Sequence, residues 1–385
     1  MKITDVQVIA FRVPVKGHGT KWGYGVFGKE RPGVQRITKI ATDVGAEGFA
    51  VGGEHGYFYA PTKNEVEHLV KPLLLGEEAL DRERLWHMMM SHRGFSERLI
   101  GNIDCALWDL MGRIAGVPVA KLLGGAREKA KAYASTAPNL GPPEVYAQHA
   151  LECKALGYKS YKVHAYIYWD PHKQEPAPRR PAFPKEDVAV CRAVREAVGD
   201  DIVLMLDPWG IYTYDEALYV GREIQKLNYY FFEHPMDENK LEPYRKLCEE
   251  LDIPICGPEL APGSCYSRAE WVLQRASDIG RIDTNFGGIT ACRKAVDMYE
   301  TMGLRCEMHV GGFGNAQILG ATTEDTCEFF ERGLLRPGED YDVTPSYLNR
   351  PCDPMDDEGY VHLPQGHGLG VDFNWDYIND NLIQE

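Results

Sequence analysis

Residues 202–235 read IVLMLDPWGIYTYDEALYVGREIQKLNYYFFEHP. The stretch opens on a short apolar run closing at Asp207, crosses a loop containing Pro208 and Gly210, and continues with apolar residues at helical spacing. It ends on a second apolar run closing at Glu233. Short apolar runs separated by one helix length predict strand, helix and strand, with the two strands parallel.

The same unit recurs along the chain. KAYAST, SYKVHAY, IVLMLD, YYFFEHP, PICGPE, IGRIDT and RCEMHV are the predicted strands, and each segment between them is long enough for one helix. Seven or eight such units predict a closed (β/α) barrel, placed over residues 129–350. Residues 1–128 differ in period. ITDVQVIAFRV and QRITKIATDVGAEGFAVGG alternate as antiparallel strands, whereas NEVEHLVKPLLLG, RERLWHMMMSH and IGNIDCALWDLMGRIAG carry helical spacing, which makes an α+β first domain. Residues 351–385 are rich in Pro, Gly and Asp and contain an aromatic cluster, FNWDYI, predicted to pack back on that domain.

A chain of 385 residues that is 44% hydrophobic and 26% charged has room for such a core. The formal charge of −15 argues against nucleic-acid and anionic-membrane partners, both of which need a basic face. The start, MKITDVQVIAFRVPV, lacks the pattern of a signal peptide, and the ten cysteines include no C-x-x-C pair. A cytoplasmic protein is expected.

Asp207, Glu233, Glu259, Asp283 and His309 each close a predicted strand, at intervals of 26, 26, 24 and 26 residues. In a parallel barrel those ends share one face, where active sites of this architecture lie. Three neighbouring carboxylates repel one another unless a cation lies between them, so Asp207, Glu233 and Glu259 are the predicted ligands of Mg2+. Asp283 is predicted to orient His309, fixing its tautomer and raising its pKa for acid–base work. The glycine-rich GGFG after His309 suggests a backbone passing close to a ligand. Lys162 and His164, two apart in SYKVHAY, share a face, and a lysine near a metal and a second base is expected to have a lowered pKa.

These residues resemble the enolase superfamily, and within it the mandelate racemase subgroup. IGNIDCALWDLMGRIAGVPVAKLLGG is similar to that family's capping-domain signature, and residues 207–235 to its metal-ligand signature. The resemblance implies an α+β capping domain on a modified (β/α)7β barrel, and Mg2+ on Asp207, Glu233 and Glu259. It also implies removal of a proton α to a carboxylate through an enediolate, chemistry for which enolase-type sites are themselves a worked example. Glu331, in CEFFERG after the last predicted strand, is similar in placement to a glutamate that hydrogen-bonds the substrate carboxylate, a role that requires it protonated. Two positions depart from the family pattern: Lys-x-Lys is Lys162-x-His164, and the residue two after the first ligand, often asparagine, is Trp209.

The resemblance implies a hydro-lyase acting on a sugar acid. Lys162 or His164 takes the C2 proton, and His309 protonates the departing 3-OH. Racemisation or epimerisation, cycloisomerisation, and a silent sugar-acid binding protein are the alternatives. Residues 17–33, GHGTKWGYGVFGKERPG, form an expected specificity loop in which His18, Lys21, Trp22 and Tyr24 close over the substrate, with Trp209 as a further contact. YWDPHKQEPAPRRPAF adds His172, Arg179 and Arg180 on the same face, toward the substrate's distal end or a neighbouring subunit of a homo-oligomer.

Overall fold

The computed structural model describes residues 1–18, 27–53, 58–179, 182–339 and 341–384. The alternating N-terminal segments form β1 (Ile3–His18), β2 (Phe27–Thr42) and β3 (Glu47–Gly53), an antiparallel sheet in which Ile3 lies opposite Thr42 and Ala41 opposite Glu47, with the β1–β2 register shifting between Ile3 and Asp5 and between Lys16 and His18. Next come α1 (Lys63–Glu65), a π turn (Val66–Val70), α2 (Lys71–Leu74), α3 (Arg82–Ser91), α4 (Glu97–Ala115) and α5 (Val119–Leu122). Ser96 caps the start of α4 by accepting from Leu99 N, and left-handed Gly116 ends it.

Helix α4 is buried between the cap sheet and the barrel. A Cβ on Gly48 of β3 would lie 2.3 Å from the Ala106 carbonyl oxygen, and one on Gly101 of α4 would lie 2.5 Å from that of Thr284, so both contacts require glycine. Asp104 of α4 accepts from Thr290 N (2.9 Å) and Oγ1 (2.7 Å), Trp108 Nε1 donates to the same hydroxyl, and Arg82 stacks over the Trp108 ring. The joint is thus both close-packed and hydrogen-bonded.

The barrel strands are β4 (Lys129–Thr136), β5 (Ser160–Val163), β8 (Val203–Leu206), β9 (Phe231–Glu233), β10 (Ile255–Cys256), β11 (Ile279–Ile282), β12 (Arg305–Met308) and β13 (Phe329–Leu335). A small hairpin, β6 (Trp169–Asp170) and β7 (Glu175–Pro176), follows β5. Helices α6 (Pro143–Ala155), α7 (Pro184–Val198), α8 (Tyr214–Gln225), α9 (Leu241–Glu250), α10 (Ser264–Gln274), α11 (Gly288–Thr301) and α12 (Phe313–Gly320) alternate with the eight parallel strands, giving (β/α)7β. All seven predicted strands are present. CEFFERG, expected beyond the last strand, contributes instead to the eighth, so Glu331 sits in β13. That strand pairs with β4, and the run ends meet where Cys306 N donates to Thr326 O and the Glu307 carboxylate receives Glu328 N and Phe329 N.

Tyr133, Met205, Phe231, Cys256, Ile279 and Phe329 form an apolar layer inside the barrel, each from a different strand. The tail adds β14 (Tyr360–His362), antiparallel to β4, and α13 (Trp375–Asp380). Phe373 and Trp375 pack on Phe49, and Leu382 bridges to Phe11 of β1. All ten cysteines are free thiols, and Cys105, Cys153, Cys191, Cys256, Cys292, Cys306 and Cys327 are buried. Among the described residues no helix is long and apolar enough to cross a membrane.

Candidate active site

Parallel pairing brings the ionisable residues to one end of the barrel. Asp207 N donates to Val163 O, His234 N to Cys256 O and His309 N to Ile282 O, so consecutive strand ends are tied edge to edge. The chain then turns sharply: Trp209 (φ 54°), His234 (φ 40°) and Val310 (φ 59°) all adopt the left-handed region, which non-glycine residues rarely occupy and which clusters at functional sites.

Two linked groups result. In the first, Asp207, His234 and Glu259 offer ligand atoms within 4.8 Å of one another. Glu259 Oε2 accepts from His234 Nδ1 (2.6 Å) and its Oε1 lies 2.8 Å from His309 Nε2, while His309 Nδ1 is 3.0 Å from Asp283 Oδ2. His164 Nε2 is 3.0 Å from Asp207 Oδ2, and its Nδ1 is 2.6 Å from the Thr136 carbonyl oxygen. The Trp209 indole stands edge-on to His164, with ring centroids 5.4 Å apart.

In the second group, Lys162 Nζ lies 2.7 Å from Glu233, 2.8 Å from Glu331 and 3.5 Å from Asp207, which links the groups. Arg281, wholly buried, places Nε 2.5 Å from Glu233 Oε1 and Nη2 2.5 Å from Glu331 Oε2, and also donates to Met308 O and Tyr133 Oη.

Two expectations are corrected by this second group. Burial alone would raise the pKa of Glu331, but Lys162 and Arg281 hold it well below the usual carboxylate range, and Val310 N donates to it as well. Glu331 is therefore a carboxylate and not the protonated acid expected from the sequence. Burial alone would lower the pKa of Lys162, but Glu233 and Glu331 raise it well above the usual value, so the expected lowering is reversed. In the first group, burial opposes the charged form of His309, whereas Glu259 and Asp283 favour it and lift its pKa to about 10. Burial would raise Glu259, yet His309 and His234 keep it well below its ordinary value.

Arg281, His234 and Asn315 belong to the site in addition to the residues expected from the sequence. Arg281 stands in β11 two residues before Asp283, which directly follows that strand, so the period of two would have placed both on the inner face. His234 directly follows Glu233. Asn315, in the first turn of α12, accepts from Thr284 N and Oγ1 and donates to His309 O, tying the ends of β11 and β12 together.

The donor set fits a hard divalent cation. Asp207, Glu233, Glu259, Asp283 and Glu331 bring five buried carboxylates to a site where, besides Lys162 and Arg281, the neighbouring acids hold His234 and His309 in the charged form, so the carboxylates still outnumber these cations. Asp207 and Glu259 stand together, and Glu233 is joined to Asp207 through the Lys162 ammonium.

Of the expected specificity-loop residues, Lys21, Trp22 and Tyr24 lie outside the described residues, as do Arg180 and the side chain of His18. His172 is exposed and faces Glu186, and Arg179 is also exposed. A cavity of about 300 Å3 separates the cap sheet from the barrel mouth, with Gln35, Phe58, Asn102, Asn285 and Gly312 in its lining. None of the five acids belongs to that lining, so the cavity adjoins the ionisable cluster without containing it.

Asp187 of α7 braces the loops around the mouth, accepting from Tyr166 N (3.0 Å) after β5 and from Tyr212 Oη (2.6 Å) after β8. Burial raises its pKa from 3.8 to about 7 in spite of those two donors. Between these values the folded chain holds a proton that the unfolded chain has lost, so this group's contribution to stability falls as pH rises through that window. Asp187→Asn keeps both contacts without the charge. Urea denaturation is expected to show it more stable than the parent at pH 8 by about 1–3 kcal/mol, with the gain vanishing near pH 4.

A capped parallel barrel whose acids and histidines ring the strand ends defines an enzyme of the enolase type. Residues 31–124 match the mandelate racemase / muconate lactonizing enzyme N-terminal domain, and residues 145–377 match the enolase C-terminal domain-like family. The chain belongs to the mandelate racemase / muconate lactonizing enzyme family of the enolase superfamily. It is 38% identical to D-glucarate dehydratase from Agrobacterium tumefaciens, whose crystal structure is complexed with magnesium, with a TM-score of 0.90 and 100% of both chains covered. It is 32% identical over 366 residues to arabinonate dehydratase from Saccharolobus solfataricus, covering 90% of this chain and 89% of that protein. D-galactarolactone cycloisomerase from Agrobacterium fabrum is 27% identical over 328 residues, covering 80% of this chain and 81% of its own.

Proposed function

We propose that the chain is a Mg2+-dependent sugar-acid dehydratase, converting an aldonate or aldarate to its 2-keto-3-deoxy acid. The observation that carries this reading is the pair of histidines on one acid cluster: His164 against Asp207 and His309 against Glu259, delivered by non-adjacent strands. The named relatives that dehydrate arabinonate and D-glucarate support the same reaction.

Asp207, Glu233 and Glu259 would hold the cation. When bound it supplies positive charge to the substrate carboxylate, which makes the α-proton acidic enough to remove. Lys162, an ammonium among three carboxylates, has no lone pair to offer near neutrality and serves as fixed charge. His164 is then the base. Its Nδ1–H donates to the Thr136 carbonyl, so Nε2 is the nitrogen that takes the C2 proton. The electron pair left at C2 delocalises into the carboxylate and then forms the C2–C3 double bond as the C3–O bond breaks. His309, protonated at neutral pH, gives the Nε2 proton to the departing hydroxyl, and water leaves. The enol so formed tautomerises to the 2-ketone. Asp283 holds the ring through Nδ1, and Glu331 fixes the Lys162 charge.

Mass spectrometry of aldonic and aldaric acids incubated with protein and Mg2+ in D2O is the direct test. One member is expected to lose water. Uptake of one deuteron without loss of water would replace dehydration by racemisation or epimerisation, and no change across the library would leave lactone cycloisomerisation or a silent binder. The same proposal places the chain in the reducing cytoplasm as a homo-oligomer. All ten thiols are free, and apolar side chains such as Leu273 and Tyr266 are exposed. Light scattering of the purified protein gives its assembly state.

A further inference from the structure

We propose that His234 is a positioning residue that presents Glu259 to the metal, through its Nδ1–H. The inference rests on the reading of Glu259 as a metal ligand.

Facing Glu259 from the end of β9 requires a left-handed backbone at His234 (φ 40°), a conformation that non-glycine residues rarely adopt unless their surroundings hold it. Contacts on both sides hold it there. His234 N donates to Cys256 O (3.1 Å), and His234 O accepts from Gly210 N (2.7 Å). The imidazole then has one edge on Glu259 Oε2, at 2.6 Å, and the other on Gly210. A Cβ at Gly210 would lie 2.5 Å from His234 Nε2, so the ring occupies space that only glycine leaves, and Gly210 is itself left-handed (φ 70°).

The main chain of Glu259 is fixed independently. Glu238 accepts from Glu259 N (2.6 Å), Leu260 N (2.5 Å) and Ala261 N (3.1 Å), and Arg268 Nη2 donates to Glu259 O (2.8 Å). Only the carboxylate remains to be oriented, and two histidines touch it. His309 gives up its proton in the reaction, so its hold on Oε1 changes during turnover. His234 holds Oε2 throughout. Partners of this kind, which orient a ligand without binding the metal, are commonly worth 10–100-fold in metal affinity.

Calorimetric titration of full-length protein with Mg2+ and with Mn2+, without substrate, tests the assignment separately from catalysis. His234→Ala is expected to weaken both metals about 10–100-fold. His234→Asn, whose amide nitrogen can stand in for Nδ1, should recover most of that loss. Gly210→Ala, which displaces the ring, should weaken binding in the parent and add little in the His234→Ala background. Equal affinities for parent and His234→Ala would overturn the proposal. A loss in His234→Asn as large as in His234→Ala, and larger for Mn2+ than for Mg2+, would also overturn it, by making the imidazole a direct nitrogen donor. If His234→Ala does not fold, the Asn and Gly210→Ala titrations still decide. Failure of the parent to bind either cation would instead sink the underlying metal-site reading.

Discussion

His309→Asn is expected to lower the dehydration rate by about 10²–10⁴-fold while leaving proton exchange at C2 in place. Asparagine keeps a donor near Glu259 but carries no acidic proton to the departing hydroxyl. With His164 intact, the variant should still wash deuterium from D2O into C2 of the unreacted acid, which proton NMR follows directly. His164→Asn should lose exchange and elimination together. If His309→Asn loses exchange as well, the roles of the two histidines are reversed. If it retains full dehydration, His309 is not the acid.

Arg281→Met is expected to cost roughly 3–5 kcal/mol of stability, because it leaves Glu233 and Glu331 buried beside a single ammonium. Methionine fills much of the volume, so the loss reads the missing charge more than a cavity. Burial raises the Glu233 pKa even with Arg281 and Lys162 opposing it. Without Arg281 it rises further, and the folded variant takes up a proton that the unfolded chain lacks. Its deficit in guanidinium denaturation should therefore be larger at pH 8 than at pH 5. A variant as stable as the parent at pH 8 would show that Lys162 alone neutralises both acids.

The barrel was legible because its strands are short apolar runs, five consecutive ones closing on an acid or a histidine at nearly constant intervals. Position along the strand therefore gave both the topology and the face on which Asp207, Glu233, Glu259, Asp283 and His309 lie. Charge state was less legible. It depends on which side chain meets which across the barrel, and Arg281 reaches Glu331 over 50 residues of chain. The alternation of IGRID puts Arg281 on the same face as Asp283, but it does not say which acids the guanidinium meets across the barrel, and without that pairing neither the charge of Glu331 nor that of Lys162 can be read from the sequence. His234 carries no sequence signal because the strand pattern ends at Glu233 and only its left-handed backbone turns it toward Glu259. β13 does not read as a barrel strand from sequence because FFERG breaks the apolar run with two charges, both buried by partners distant in sequence.

The buried cysteines make the molecule its own clock of opening. Burial pushes the thiols of Cys105 and Cys292 well above their ordinary pKa, and the hydrogen bond with Cys327 together with burial does the same for Cys306, so few of them are nucleophilic in the closed protein. A soluble alkylating reagent then reacts at the rate at which each region exposes its sulfur. Cys306 and Cys327 flank the seam where the barrel closes, while Cys105 on α4 and Cys292 on α11 lie on the two sides of the cap joint. Peptide mapping of the label over time would show which of the two parts first, the cap from the barrel or the barrel at its seam.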